Sequence, residues 1–166
     1  MLASEHAAGL SAMERSLAFN PNSALALCFF GWAQSYRHQS QRAIEALERA
    51  RRLSPLDPLT FVVQMAIAFA HFFAGRYDDA SSWAEKALAA SSPRLREKPG
   101  YHPALLIAAA SNALAGRLEE GRNAIARLQQ LNRTPHISNL KNQVPLRRPE
   151  DLDRYAEGLR KAGLPD

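Results

Sequence analysis

The feature that most limits how this chain can fold is a spacing. Between Asn22 and Pro55, small residues fall at Gly31, Ala43 and Ala50, large apolar ones at Phe30 and Leu47, and a proline closes the stretch. Residues 24–36 are apolar with helical character. His38-Gln39-Ser40-Gln41 forms a polar break, and residues 42–50 resume a helical pattern before Leu53-Ser54-Pro55. Two helices joined by a short turn satisfy this pattern. The small residues let the pair approach closely, the large ones fill the space between, and Pro55 cannot continue the second helix.

The same spacing echoes along the chain, which predicts a stack of similar units. Upstream, Gly9, Met13, Ser16 and Pro21 precede Ala43, Leu47, Ala50 and Pro55 by 34 residues. Residues 2–20 therefore read as the second helix of a unit whose first helix is missing. The apolar side of that helix, Leu10, Met13 and Leu17, lacks a usual neighbour, so either the chain belongs to a longer protein or another copy covers the face.

Downstream, 56–92 reads as the next unit, with Asp57 as N-cap, Pro58 in the first turn, helices at about 58–74 and 77–90, and Gly75 as the stop between them. Ala43 to Ala80 is 37 residues, three beyond the period, and a lengthened first helix is the economical place for them. Phe61, Val62, Val63, Met65, Ile67, Phe69, Phe72 and Phe73 make that helix apolar on nearly all sides, which predicts a central, buried position. Residues 91–100, with two prolines and mostly polar neighbours, read as a linker. A further unit at 101–133 has helices at 103–115 and 118–131 about Gly116, and its Ala108-Ala109-Ala110 run predicts very close helix contact.

The remainder, 134–166, breaks the period. An irregular stretch and an extended Val144-Pro145-Leu146 lead to a helix at 149–162. Pro149 suits its first position, Glu150, Asp151 and Asp153 its positive end, Arg160 and Lys161 its negative end, and Gly163 its stop. Leu152, Tyr155, Ala156 and Leu159 form its apolar stripe, as a capping helix requires. The expected organisation is an array at 1–133 and a tail with capping helix at 134–166.

β-Branched residues are scarce and good helix formers abundant, so the expected class is all-α. Apolar content of 46% and charged content of 22% suit a globular core. The formal charge of +5 raises nucleic acid as a partner. Arg42, Glu45, Glu48, Arg49, Arg51 and Arg52 mix both signs at helical spacing, however, which favours a solvated helix face over a phosphate track. A single cysteine, Cys28, excludes an internal disulfide and reads as a small buried hydrophobe. No signal peptide is visible, and residues 61–74 are too short to span a bilayer, so a soluble, reducing, cytoplasmic location is expected.

No catalytic constellation stands out. Gly31, Gly75, Gly116 and Gly121 are isolated, and the histidines at 6, 38, 71, 102 and 136 show no paired spacing. His71, inside the apolar helix, reads as a hydrogen-bonded core residue. Asp78-Asp79 and Glu119-Glu120 open second helices and match the helix dipole. No enzyme activity, cofactor or metal site is expected.

The positions of Gly31, Ala43, Ala50, Phe30, Leu47 and Pro55 resemble the tetratricopeptide repeat (TPR) family. The resemblance implies a right-handed solenoid of antiparallel helix pairs whose first helices line a concave groove for a peptide or partner helix. The matching positions are Leu25, Cys28, Phe29, Trp32 and Ser35 in one unit and Pro103, Leu106, Ile107 and Ala110 in another. The lysine, asparagine and arginine clamp of the best-known subset is missing, so binding of chaperone tails is not carried over. The groove is instead apolar, which is costly to leave wet. Ile137, Leu140, Val144 and Leu146 are candidates to run along it and hand over to the last helix, and Trp32 and Tyr36 are candidates to meet an external partner.

The segments Ile137-Ser138-Asn139-Leu140, Arg148-Pro149-Glu150-Asp151-Leu152 and Arg160-Lys161-Ala162-Gly163-Leu164-Pro165 also resemble the C-terminus of bacterial multidomain regulators. In those proteins a nucleotide-cyclase or DNA-binding domain precedes a TPR array. The resulting expectation is a non-catalytic protein–protein interaction scaffold. Its alternatives are a homodimer through Leu10, Met13 and Leu17 and, less favoured, a basic nucleic-acid-binding solenoid. The polar and aromatic base readers that the last would need are absent at Leu25, Cys28 and Leu106.

Overall fold

The structure is a computed structural model that describes residues 2–55, 60–91, 101–131, 135–144, 146 and 148–166, with side chains from residue 8 onward except at 101, 102, 142 and 143. The expected N-cap at Asp57-Pro58 and linker at 92–100 lie outside the described residues. Within them, every regular element is helical. The helices are α1 (Leu2–Phe19), α2 (Ala24–Ser35), α3 (Ser40–Leu53), α4 (Thr60–Phe73), α5 (Tyr77–Ala90), α6 (Tyr101–Leu114) and α7 (Leu118–Gln130). A 3-10 turn at Ile137–Asn139 then runs into the short α8 (Leu140–Gln143), and α9 (Pro149–Lys161) closes the chain.

Three hairpins, α2–α3, α4–α5 and α6–α7, share one turn. In each, a residue with positive φ ends the first helix: His38 at +60°, Gly75 at +75° and Gly116 at +84°. In each, the next N–H reaches five residues back: Gln39 donates to the Gln34 carbonyl (3.0 Å), Arg76 to His71 (3.0 Å) and Arg117 to Asn112 (2.8 Å). The left-handed residue itself bonds three back, to the carbonyls of Ser35, Phe72 and Ala113 respectively. This Schellman pattern satisfies the carbonyls that a helix end leaves orphaned. The three residues that open the reach, Gln34, His71 and Asn112, are all buried and polar.

Consecutive helices pack together, each hairpin's second helix also rests on the following first helix, and first helices touch one another. Helix α1 packs on α2 as α3 packs on α4. Gly31 lies so close to α3 that a Cβ there would stand 2.5 Å from the Leu47 side chain and 3.0 Å from the Ala43 carbonyl. The Ala108–Ala110 run hosts close contacts with two helices. A Cβ on Gly121 of α7 would come 3.1 Å from the Ala109 carbonyl, and one on Gly158 of α9 2.9 Å from that of Ala110.

The core divides into two clusters, and α4 serves both. Val63, Ala66 and Ile67 join Leu27, Cys28, Ala46, Leu47 and Ala50 in the smaller one. Phe61, Met65, Phe69, Phe72 and Phe73 join α5, α6, α7 and the tail in the larger. A helix with apolar partners on both sides must be apolar nearly all round, which accounts for its sequence.

The expected lengthening of α4 at its N-terminal end falls on residues 56–59 and lies outside the described residues.

Candidate interaction groove

The side of the hairpins formed by α2, α4 and α6 carries an aromatic cluster. Trp32 of α2 and Tyr36, the residue that caps it, have ring centroids 6.0 and 6.2 Å from Phe69 of α4, and Phe69 continues to Phe73 at 6.1 Å. The cluster is capped by a residue of the tail. Tyr155 of α9 lies 6.1 Å from Phe69 and 5.6 Å from Phe72, edge-on to the latter, which is a favourable arrangement of ring quadrupoles. It is fully buried, with its hydroxyl unpartnered among the described residues. Burial raises its phenol pKa, with the Tyr36 phenol adding to the rise; burial also pushes Tyr36 up to about 12.

Helix α9 lies chiefly on α6. Its apolar face presents Tyr155, Ala156, Gly158 and Leu159, all buried, and its outer face carries pairs such as Lys161 with Glu157 at 2.7 Å. Pro149 sits in the first turn with Glu150 and Asp151, and Arg160 and Lys161 in the last. Gly163, at φ +91°, ends the helix, and the Leu164 N–H reaches the Leu159 carbonyl at 2.9 Å. Buried Leu164 adds the apolar contact that accompanies this kind of stop.

The candidate tail residues are placed differently from a strand along the groove. Ile137 and Leu140 are buried and Val144 and Leu146 half-buried against the larger core, but their segment packs on α9. The Ile137 N–H donates to the Pro165 carbonyl at 3.0 Å. It is α9 that meets the aromatic cluster. A helix satisfies its own backbone hydrogen bonds, whereas an extended segment on an apolar helical surface would leave them unmade.

The candidate groove residues separate into two groups. Cys28, Leu106 and Ile107 are buried in the chain's own core and offer no surface. On α2, Leu25 is 52% and Phe29 46% exposed, while Trp32 and the capping Tyr36 are half-buried within the cluster. Leu25 borders a shallow pocket with Cys28, Ala50, Arg51, Thr60 and Val63. On α1, Leu10, Met13 and Leu17 are half-buried, and the neighbouring Phe19 is 90% exposed.

Polar contacts tie the hairpins to each other. Ser81 donates to Asn112 Oδ1 at 2.7 Å, Arg117 Nε to the same oxygen at 2.9 Å, and Arg117 pairs with Asp78 at 2.6 Å. Buried His71 stands 3.5 Å from Asp79, but its Nδ1 makes no hydrogen bond among the described residues. Desolvation lowers its pKa, with Arg76 acting in the same direction and Asp79 and Glu48 opposing. One close polar contact among the described residues joins the tail to the α2–α3 turn: His38 Nδ1 stands 3.4 Å from Asp151, whose side chain is 4% exposed.

Sequence reasoning took His38 only as part of a polar break and Asp151 only as a first-turn acid, and did not single out Gly158. The signal for His38 was available, since it stands five residues before Ala43, as Gly75 does before Ala80 and Gly116 before Gly121. Among the described residues no cluster of three histidine, cysteine or carboxylate side chains is placed to hold a metal, and no helix is long and apolar enough to cross a membrane. Compared with known proteins, the chain matches no family model and no curated protein.

Proposed function

We propose that this chain is a TPR-like array serving as a non-catalytic protein–protein interaction scaffold. In this reading its groove is held by its own C-terminal helix and opens to a helix supplied by a partner. The observation that carries the proposal is the seat of α9. Tyr155 enters an aromatic cluster built by two successive first helices, and Gly158 rests on Ala110 of the next one. A surface that accepts one amphipathic helix through an aromatic anchor and a small-residue contact is suited to others of that pattern. Leu25 and Phe29 extend the apolar surface of α2 beyond the cluster. The resemblance of the tail to bacterial multidomain regulators supports reading such a scaffold as the cytoplasmic interaction part of a larger regulator.

The test uses the full chain carrying Gly158→Leu, which forces a branched side chain against the Ala110 backbone. Expelling α9 should raise binding of a hydrophobic dye, keep helix content within about a tenth of the original, and create saturable binding of a synthetic peptide of residues 148–166. Unchanged dye binding, or no peptide binding by a folded variant, would overturn the proposal.

A second reading, homodimerisation through α1, is favoured by Phe19, almost wholly exposed beside half-buried Leu10, Met13 and Leu17. Light scattering over a hundredfold concentration range tests it. A constant monomer mass would dismiss the dimer.

A further inference from the structure

His38 occupies a position where the chain otherwise uses glycine. The turns at 75 and 116 have the same hydrogen bonds and the same left-handed residue, and both are glycine. Histidine enters this region more readily than most side chains but still at a conformational cost that glycine does not incur. Glycine would make the same turn, so the backbone gives no reason for the imidazole.

A reason lies across the groove. The imidazole reaches Asp151, a carboxylate in the first turn of α9 that is almost entirely out of water. An acid there gains from the helix dipole wherever α9 lies. Buried against another element, it also needs a polar partner from that element. The surroundings supply few others. The only titratable residue of helix α4 is His71, which faces Asp79, and α6 contains no Asp, Glu, Lys or Arg and a single histidine, His102. Arg37 flanks His38 in the turn, Arg42 opens α3, and on α9 itself Glu150 pairs with Arg148 at 3.5 Å, with Asp153 and Arg154 following.

We propose that His38 is a specificity-determining residue of the groove, held in a left-handed turn so that its imidazole reads an acidic side chain at the N-terminal end of the helix lying there. In the present state that acid is Asp151. It is followed four residues on by the aromatic anchor Tyr155 and seven on by the small Gly158, and a partner helix that displaces α9 carries the same order of acid, aromatic and small residue. This inference rests on the groove reading above.

The experiment is a double-mutant cycle in the full chain, with His38→Gly, Asp151→Asn and both together, read by hydrogen exchange of the α9 amides. Each single change should speed α9 exchange about fivefold, the double no more than the larger single, because the pair acts as one contact. His38→Gly should leave exchange in α2 and α3 unchanged or slower, since glycine relieves the turn, and His38→Asn, which keeps left-handed tolerance but shortens the reach, should match the glycine effect on α9. Effects that multiply independently would show that Asp151 serves only its own helix, and faster exchange in α2 and α3 with His38→Gly would show a structural role for the turn residue; either overturns the proposal. A second arm offers the 148–166 peptide, with Asp151 or with Asn in its place, to the Gly158→Leu chain. The acid should bind about fivefold more tightly, and the preference should vanish when His38→Gly is added; a preference that survives counts against His38. If neither peptide binds, the groove reading has failed, and the exchange cycle alone decides the role of His38.

Discussion

Replacing Gly158 by alanine asks how much the tail helix depends on close approach to α6. The added Cβ would stand 2.9 Å from the Ala110 carbonyl oxygen, 3.0 Å from its Cβ and 3.1 Å from its Cα. Two of those three atoms are backbone in the middle of a packed helix, so α9 must retreat by a few tenths of an ångström. Overpacking of this kind costs about 1–3 kcal/mol. Alanine recovers about 0.5–1 kcal/mol of that through its better helix propensity. The middle of each range leaves a net loss of about 1.2 kcal/mol, which converts to an open population of α9 about sevenfold larger, at about 1.4 kcal/mol per decade. Native-state hydrogen exchange read by mass spectrometry reports this segment by segment: amides at 150–161 should exchange faster by that factor, while those of α2 and α3, which Gly158 does not touch, should keep their rates. Slower or unchanged exchange in α9 would mean that α9 does not lean on Ala110. A uniform acceleration across the chain would mean that α9 does not open separately from the array.

Other perturbations probe the array and its buried polar groups. Gly31→Ala drives a Cβ to 2.5 Å from fully buried Leu47 and should lower stability by about 2–3 kcal/mol. Gly9→Ala on α1 meets nothing within 4 Å and should raise stability by about 0.5–1 kcal/mol; a pair of denaturant melts separates the two signs. The folded chain lowers the pKa of His71 from 6.5, mainly by desolvation, so below that pH the unfolded chain binds the extra proton and stability falls as pH drops. His71→Gln should flatten the decline between about pH 7 and 5, and an unaltered profile would dismiss His71 as its source. Tyr155→Phe keeps the ring in the aromatic cluster and removes a buried, unpartnered hydroxyl. It should raise stability by about 1 kcal/mol, and a lower melting temperature would reveal a partner for that oxygen.

The sequence alone determined the helices, because their signals are local. The small residues at Gly31, Ala43 and Ala50, the first-turn acids of α5 and α7 and the stop at Gly163 act within one hairpin or one helix end, so Tyr77–Ala90 is read to the residue and the other described ends of the long helices to within three, whereas the short α8 lay in a stretch read as irregular. The all-round apolarity of α4 also announced a central helix, since each residue's hydropathy reflects its own burial. Tertiary structure decided what covers the groove and with which residues. Tyr155, Gly158 and Asp151 form a stripe, a gap and a dipole-matched acid in isolation; they become an anchor, a seat and a buried carboxylate only when Phe69, Ala110 and His38 arrive from elements far away in sequence. The same holds for the tail segment around Leu140, which packs behind α9 because an extended strand on a helical surface would leave its backbone unpaired. Periodicity records which face of a helix is apolar, but which surface meets that face depends on the relative placement of several helices, and no single segment encodes it.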